Sequence, residues 1–95
     1  MPRGEKSKTI ASRIFENLED ELEEEGTWLV FYDFKGKISN YFYKNLKVIQ
    51  KTLGDGEWLQ NSVFQCKFLR TAKAIKILAE RYGAQVYIFK AELVE

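Results

Sequence analysis

Apolar positions follow three different rhythms along this chain. Ile10, Ile14, Leu18 and Leu22 recur every four residues, which predicts an amphipathic helix over 9–24 with Ser7 or Thr9 as its cap. Glu23, Glu24 and Glu25 put negative charge at the negative pole of that helix, so its last turn should fray before Gly26. From Trp28 to Phe34 the chain is then apolar except for Asp33. A run this short, rich in aromatic and branched residues, predicts a strand over 27–33 buried on both faces. Asp33 should emerge where that strand reaches the rim of its sheet, a place where sites are built.

A helical rhythm returns after Lys35-Gly36-Lys37, with Ser39 as cap. Phe42, Leu46, Ile49 and Leu53 form its inner stripe, Lys44, Lys47 and Lys51 lie on another face, and Gly54-Asp55-Gly56 is a turn that ends it. Residues 57–68 read as extended, with Trp58, Ser62, Phe64, Cys66 and Phe68 on one side by alternation. The polar break Gln60-Asn61-Ser62 predicts a kink or tight reversal that makes two short strands. Another helix is expected over 71–82, with Ile75, Leu78, Ala79 and Tyr82 inward, Lys73, Lys76 and Glu80 outward, and Gly83 as its stop. Val86, Tyr87, Ile88 and Phe89 belong to a closing strand over 85–93. The order βαββαβ behind one extra helix predicts an α+β, ferredoxin-like sandwich over 27–95, with two helices on one sheet face and residues 1–26 as an acidic helical extension.

Composition narrows what such a domain can do. The chain has 95 residues, 45% of them hydrophobic, which makes one globular domain small enough that dimer formation would help it bury surface. It has no histidine, which removes Ser-His and Cys-His nucleophile systems and histidine acid–base catalysis. Hydrolysis would have to use carboxylates, metal-bound water, or tyrosine and lysine. A lone cysteine, Cys66, allows no internal disulfide, and there is no Cys/His zinc spacing or phosphate-binding glycine loop. With no apolar stretch of membrane-spanning length and no signal-peptide core at a charged N-terminus, an unexported cytoplasmic protein off the membrane is expected. The net charge of +1 hides an asymmetry: residues 1–26 carry four Lys/Arg against eight Asp/Glu, whereas residues 27–95 carry eleven against six. The basic body has the sign expected of a polyanion binder, although solubility alone also accounts for it.

Phe31-Tyr32-Asp33 at the end of the first strand and Gln60-Asn61-Ser62-Val63-Phe64 further on carry a resemblance. With the matching order of elements, over about residues 28–90, the chain resembles the small CRISPR-associated endonuclease family that joins the spacer-acquisition integrase. VapD-like toxin ribonucleases are relatives of that family and share its fold. The resemblance implies a symmetric homodimer in which Asp33 faces its counterpart across the two-fold axis. It implies that the pair holds Mg²⁺ or Mn²⁺ for phosphodiester cleavage, with Tyr32 beside the acid and Ser62 and Phe64 in the Ser-Val-Phe motif. Two close carboxylates repel, and a divalent ion between them restores their charged forms and activates water. The chain departs from the family in having no arginine over 34–69, where only Lys35, Lys37, Lys44, Lys47, Lys51 and Lys67 are basic. Lysine attracts phosphate without the bidentate fork of arginine.

Each of these residues also has a plainer role. Asp33 is equally suited to accept backbone hydrogen bonds in the next loop or to cap the following helix. Ser62 has the composition of a turn, Phe64 of a core residue and Cys66 of a small buried hydrophobe. Trp28 and Trp58 fit core packing, while Tyr41 and Tyr43 beside Lys44 are more open to stacking on exposed bases. The row Lys44, Lys47, Lys51 fits a solvated helix face as well as a nucleic-acid contact. Three classes follow: a metal-dependent endonuclease-like nucleic-acid-binding dimer, a non-catalytic ferredoxin-like module holding nucleic acid or a protein partner, and a VapD-like toxin ribonuclease. The acidic extension would compete with nucleic acid for the basic body.

Overall fold

The computed structural model describes Ile14, residues 24–92 and Val94. Its elements run β1 (Glu25–Asp33), α1 (Asn40–Leu53), β2 (Glu57–Gln60), β3 (Val63–Phe68), α2 (Leu69–Arg81) and β4 (Gln85–Ala91). The four strands form one antiparallel sheet in the order β2-β3-β1-β4. Each helix connects two strands that leave room for a third between them, which is the ferredoxin-like α+β sandwich that the order of elements predicts. The expected helix over 9–24 falls outside the described residues except for Ile14 and Glu24; Ile14 is helical and buried in the core.

Local signals set the helix ends. The Ser39 side chain accepts from the Tyr41 N–H and so starts α1, while Gly54 ends it in a left-handed conformation at φ 61°. α2 begins at Leu69, two residues earlier than its hydrophobic spacing suggests, and has no side-chain cap. Its first backbone N–H instead donates to the carbonyl of Glu24 at 2.8 Å, tying the start of α2 to the start of β1.

The core lies between the sheet and the helices. Val30 and Tyr32 from β1, Phe64 and Cys66 from β3, Phe42, Leu46 and Ile49 from α1, and Ile75 and Leu78 from α2 are all buried there. Trp28 joins them, and Trp58 packs against them half-buried, as core packing requires. Burial pushes the Cys66 thiol up to about 12, with the Asp55 carboxylate adding to it, so this cysteine stays an inert thiol near neutral pH.

Two expectations need correction. β1 is not buried on both faces: Trp28, Val30 and Tyr32 point into the core, while Phe31 and Asp33 are exposed on the other side. Register places Phe31 opposite Tyr87, and Leu29 opposite Phe89. The sheet face away from the helices therefore carries Phe31, Leu59, Tyr87 and Phe89 at 37%, 47%, 54% and 55% exposure. Ser62 also departs from its predicted side. Trp58, Phe64 and Cys66 do alternate inward, but Phe68 is only partly buried, and the turn at 61–62 and a register shift between Trp58 and Gln60 take Ser62 out of that series.

Gly56 shows how tightly the β2 entry is built. Its φ is 109°, and a Cβ there would lie 2.8 Å from Cε1 of the fully buried Phe64 ring. Gly56→Ala is therefore expected to cost roughly 3 kcal/mol, from backbone strain and overpacking together. Gly83 has a similar φ of 94° with open space around it, so Gly83→Ala incurs the strain alone. Urea unfolding of the two variants separates the contributions, and equal losses would show that the ring contact does not matter.

Candidate functional site at the end of the central strand

Asp33 is the last residue of β1, one of the two central strands, and its alternation with Tyr32 turns its carboxylate toward the open sheet face. Phe31, Tyr32, Asp33, Ser62 and Tyr87 line a cleft of about 280 Å³ at this rim. The Tyr32 N–H donates to the carbonyl of Ser62 at 3.1 Å, which fixes the β2–β3 turn beside Asp33. The structure thus brings together Asp33 and Ser62, which are far apart in sequence. Ser39, not Asp33, caps α1, and no hydrogen bond or ion pair among the described residues engages the Asp33 carboxylate. Tyr87 completes the cleft; its place opposite Phe31 follows from strand pairing, and its alternation with Gln85 and Phe89 was the only sequence signal for it.

Tyr32 lines the same cleft, but its side chain goes the other way. It is 2% exposed, its hydroxyl donates to the carbonyl of Asn61 at 3.0 Å, and it accepts from the Trp58 indole N–H at 2.8 Å. Burial pushes the phenol above its ordinary range, the Trp58 hydrogen bond partly opposing this and neighbouring Tyr43 adding to it. A neutral, doubly bonded phenol on the core side suits it to hold the turn that carries Ser62. Phe64 is likewise in the core, fully buried against the Trp58 ring.

The basic residues fall into two groups. Lys35 and Lys37 lie in the exposed loop that follows Asp33, and Tyr41 and Lys44 are in the first turns of α1, with the Lys44 ammonium 5.5 Å from the Tyr41 ring centre. Lys47 and Lys51 belong to the second half of α1, which runs back along the sheet, and with Lys67 they line a separate cleft of about 540 Å³ around Gly54-Asp55-Gly56. Lys67 is near the end of β3 that pairs with the start of β1. At about 3.3 Å per residue along the strand, that cleft is on the order of 20 Å from Asp33. Helical spacing puts Lys44, Lys47 and Lys51 near one another but not all at the acid.

Asp55 has a structural job that the turn reading did not anticipate. Its carboxylate accepts from the Lys67 N–H at 2.8 Å and from the Phe68 N–H at 3.0 Å, closing the β3–α2 junction. Among the described residues one acid lines the Asp33 cleft, and no group of three or more His, Cys, Asp or Glu is placed to hold a metal ion. A divalent ion at Asp33 would need a second carboxylate from elsewhere. No described helix is long and apolar enough to cross a membrane. No family model, curated protein or solved structure matches the chain.

Proposed function

We propose that the protein is a homodimeric, nucleic-acid-binding phosphodiesterase of the endonuclease type, with Asp33 from each subunit holding Mg²⁺ or Mn²⁺ at the dimer axis. One observation carries this reading: a carboxylate with no partner among the described residues stands at the rim of an exposed aromatic sheet face. A second copy laid on that face covers Phe31, Tyr87 and Phe89. In an isologous contact whose two-fold axis passes near the rim, each residue meets its equivalent region, and the two acids approach each other. Three half-exposed rings offer about 300 Å² of apolar area, the centre of a standard interface whose rim Leu59 and the surrounding polar residues extend. The divalent ion would polarise the phosphate and supply a metal-bound water; Lys35 and Lys37 would neutralise the backbone of the bound strand. The resemblance of Phe31-Tyr32-Asp33 and Ser62-Val63-Phe64 to the small CRISPR-associated nucleases supports the same assignment.

Labelled single-stranded RNA and double-stranded DNA, incubated with Mg²⁺ or Mn²⁺, test the proposal. Metal-dependent cleavage should fall at least ~100-fold in Asp33→Asn, an exposed substitution that leaves the fold intact. RNA cleavage alone would favour a VapD-like toxin ribonuclease. A second reading, a non-catalytic module that binds nucleic acid or a protein partner, is favoured by the lack of arginine over 34–69 and by Asp33 being the one acid among the described residues that line its cleft. It takes over if the native protein and Asp33→Asn behave alike.

A further inference from the structure

A second cleft lies on the other side of the turn that carries Ser62. Tyr43, Trp58, Leu59, Gln60 and Asn61 line a space of about 400 Å³ between α1 and the β2 edge of the sheet. Its walls are two half-buried aromatic rings with centres 6.1 Å apart, and Gln60 and Asn61 are exposed at its rim. The Trp58 indole is held by its hydrogen bond to the Tyr32 hydroxyl and by the Phe64 ring beneath it, and Tyr43 rests on Phe42. These rings form a fixed platform, ordered before any ligand arrives.

We propose that this cleft holds one unpaired nucleobase of a single-stranded nucleic acid. Flat aromatic surface takes the face of any base, and carboxamides are the side chains that bond both donor and acceptor edges of a base. A base slipped between the two rings would need about 7 Å, two contact distances, so it stacks against one ring, with the Gln60 and Asn61 amides at its edge. Lys44, exposed one residue beyond Tyr43, meets the adjoining phosphate. Asn61 and Ser62 are consecutive, so the base cleft and the Asp33 cleft flank one turn, and a strand crossing that turn engages both. A duplex keeps its bases stacked and cannot offer one to the platform. The inference rests on the nucleic-acid part of the function proposed above and adds to it the single-stranded substrate.

The test uses the full chain without divalent metal, so that binding is read apart from cleavage. A short oligouridine is titrated while tryptophan fluorescence is followed, beside an abasic oligomer of equal length and charge. Stacking on Trp58 should quench emission, and the abasic oligomer should bind about 10-fold more weakly or worse. Tyr43→Leu, which keeps an apolar side chain, should lower oligouridine affinity about 10-fold while leaving abasic affinity unchanged. Asn61→Ala, at an exposed position, should lower it without altering the melting curve. Equal affinity for the two oligomers would overturn the inference, leaving backbone contacts alone. So would quenching by a proline- and tyrosine-rich peptide but not by oligouridine, which would give the cleft to a protein. Base-dependent binding by a protein that cuts nothing would refute the nuclease reading and leave the base cleft standing.

Discussion

Replacing Asp55 with alanine is expected to lower the melting temperature by roughly 15–25 °C. Asp55 is buried, and its carboxylate accepts the backbone N–H groups of both Lys67 and Phe68. Removing it strands two donors at the β3–α2 junction, at about 1–3 kcal/mol each, against a stability that for such a domain is only about 5–15 kcal/mol in total. Asp55→Asn preserves the shape and one acceptor oxygen, so about half the loss is expected. Circular dichroism melts check both. A melting temperature within about 5 °C of the native value in Asp55→Ala would mean that water replaces the carboxylate at this junction.

The second large effect concerns assembly. Phe31→Lys together with Phe89→Lys should weaken a sheet-face dimer at least ~1000-fold, since two hot-spot-sized aromatic anchors are lost and like charges meet across the two-fold axis. Both rings lie on the side away from the helices, where they touch edge-to-face at 5.6 Å and take no part in the buried core, so the subunit should keep its fold. Sedimentation at a concentration where the native protein is dimeric, with a melting curve as control, reads both quantities. A native protein that stays monomeric would remove the paired-acid site, and a variant that stays dimeric would move the interface elsewhere.

Most of the architecture was legible from periodicity because the decisive contrasts are local. The Ser39 cap, the Gly54 stop and the Phe42, Leu46, Ile49 stripe each sit within a few residues of the signal that reveals them. What periodicity could not give was what lies against a face. In Trp28–Tyr32 every residue is apolar, so the run looks the same whether its second side is covered by a helix, by another chain or by water; only the placement of both helices on one side exposes Phe31.

The site was partly legible for the same reason. Asp33 stands out because it ends an apolar run and Ser62 because it belongs to the Ser-Val-Phe motif that carries the resemblance, and strand pairing puts the two together. Helical spacing puts Lys47 and Lys51 in a row with Lys44 but says nothing of which end of the sheet each one reaches. Asp55 carries only the signal of a turn between two glycines because its partners lie twelve and thirteen positions away. Tyr32, adjacent to Asp33, is on the opposite side of the sheet simply because strands alternate.

The strand order β2-β3-β1-β4 also sets how the molecule breathes. β1 is bonded on both flanks from Trp28 to Phe31, so the amides there should exchange with solvent only when the whole domain opens, whereas Asp33 at its end pairs with β4 alone. β2 is a four-residue edge strand with a register shift, so its local opening costs far less. A well-paired central strand and a less protected edge thus meet at one turn, so exchange should reach the β2 backbone before that of β1, even though the Trp58 ring is held in place by Tyr32 and Phe64.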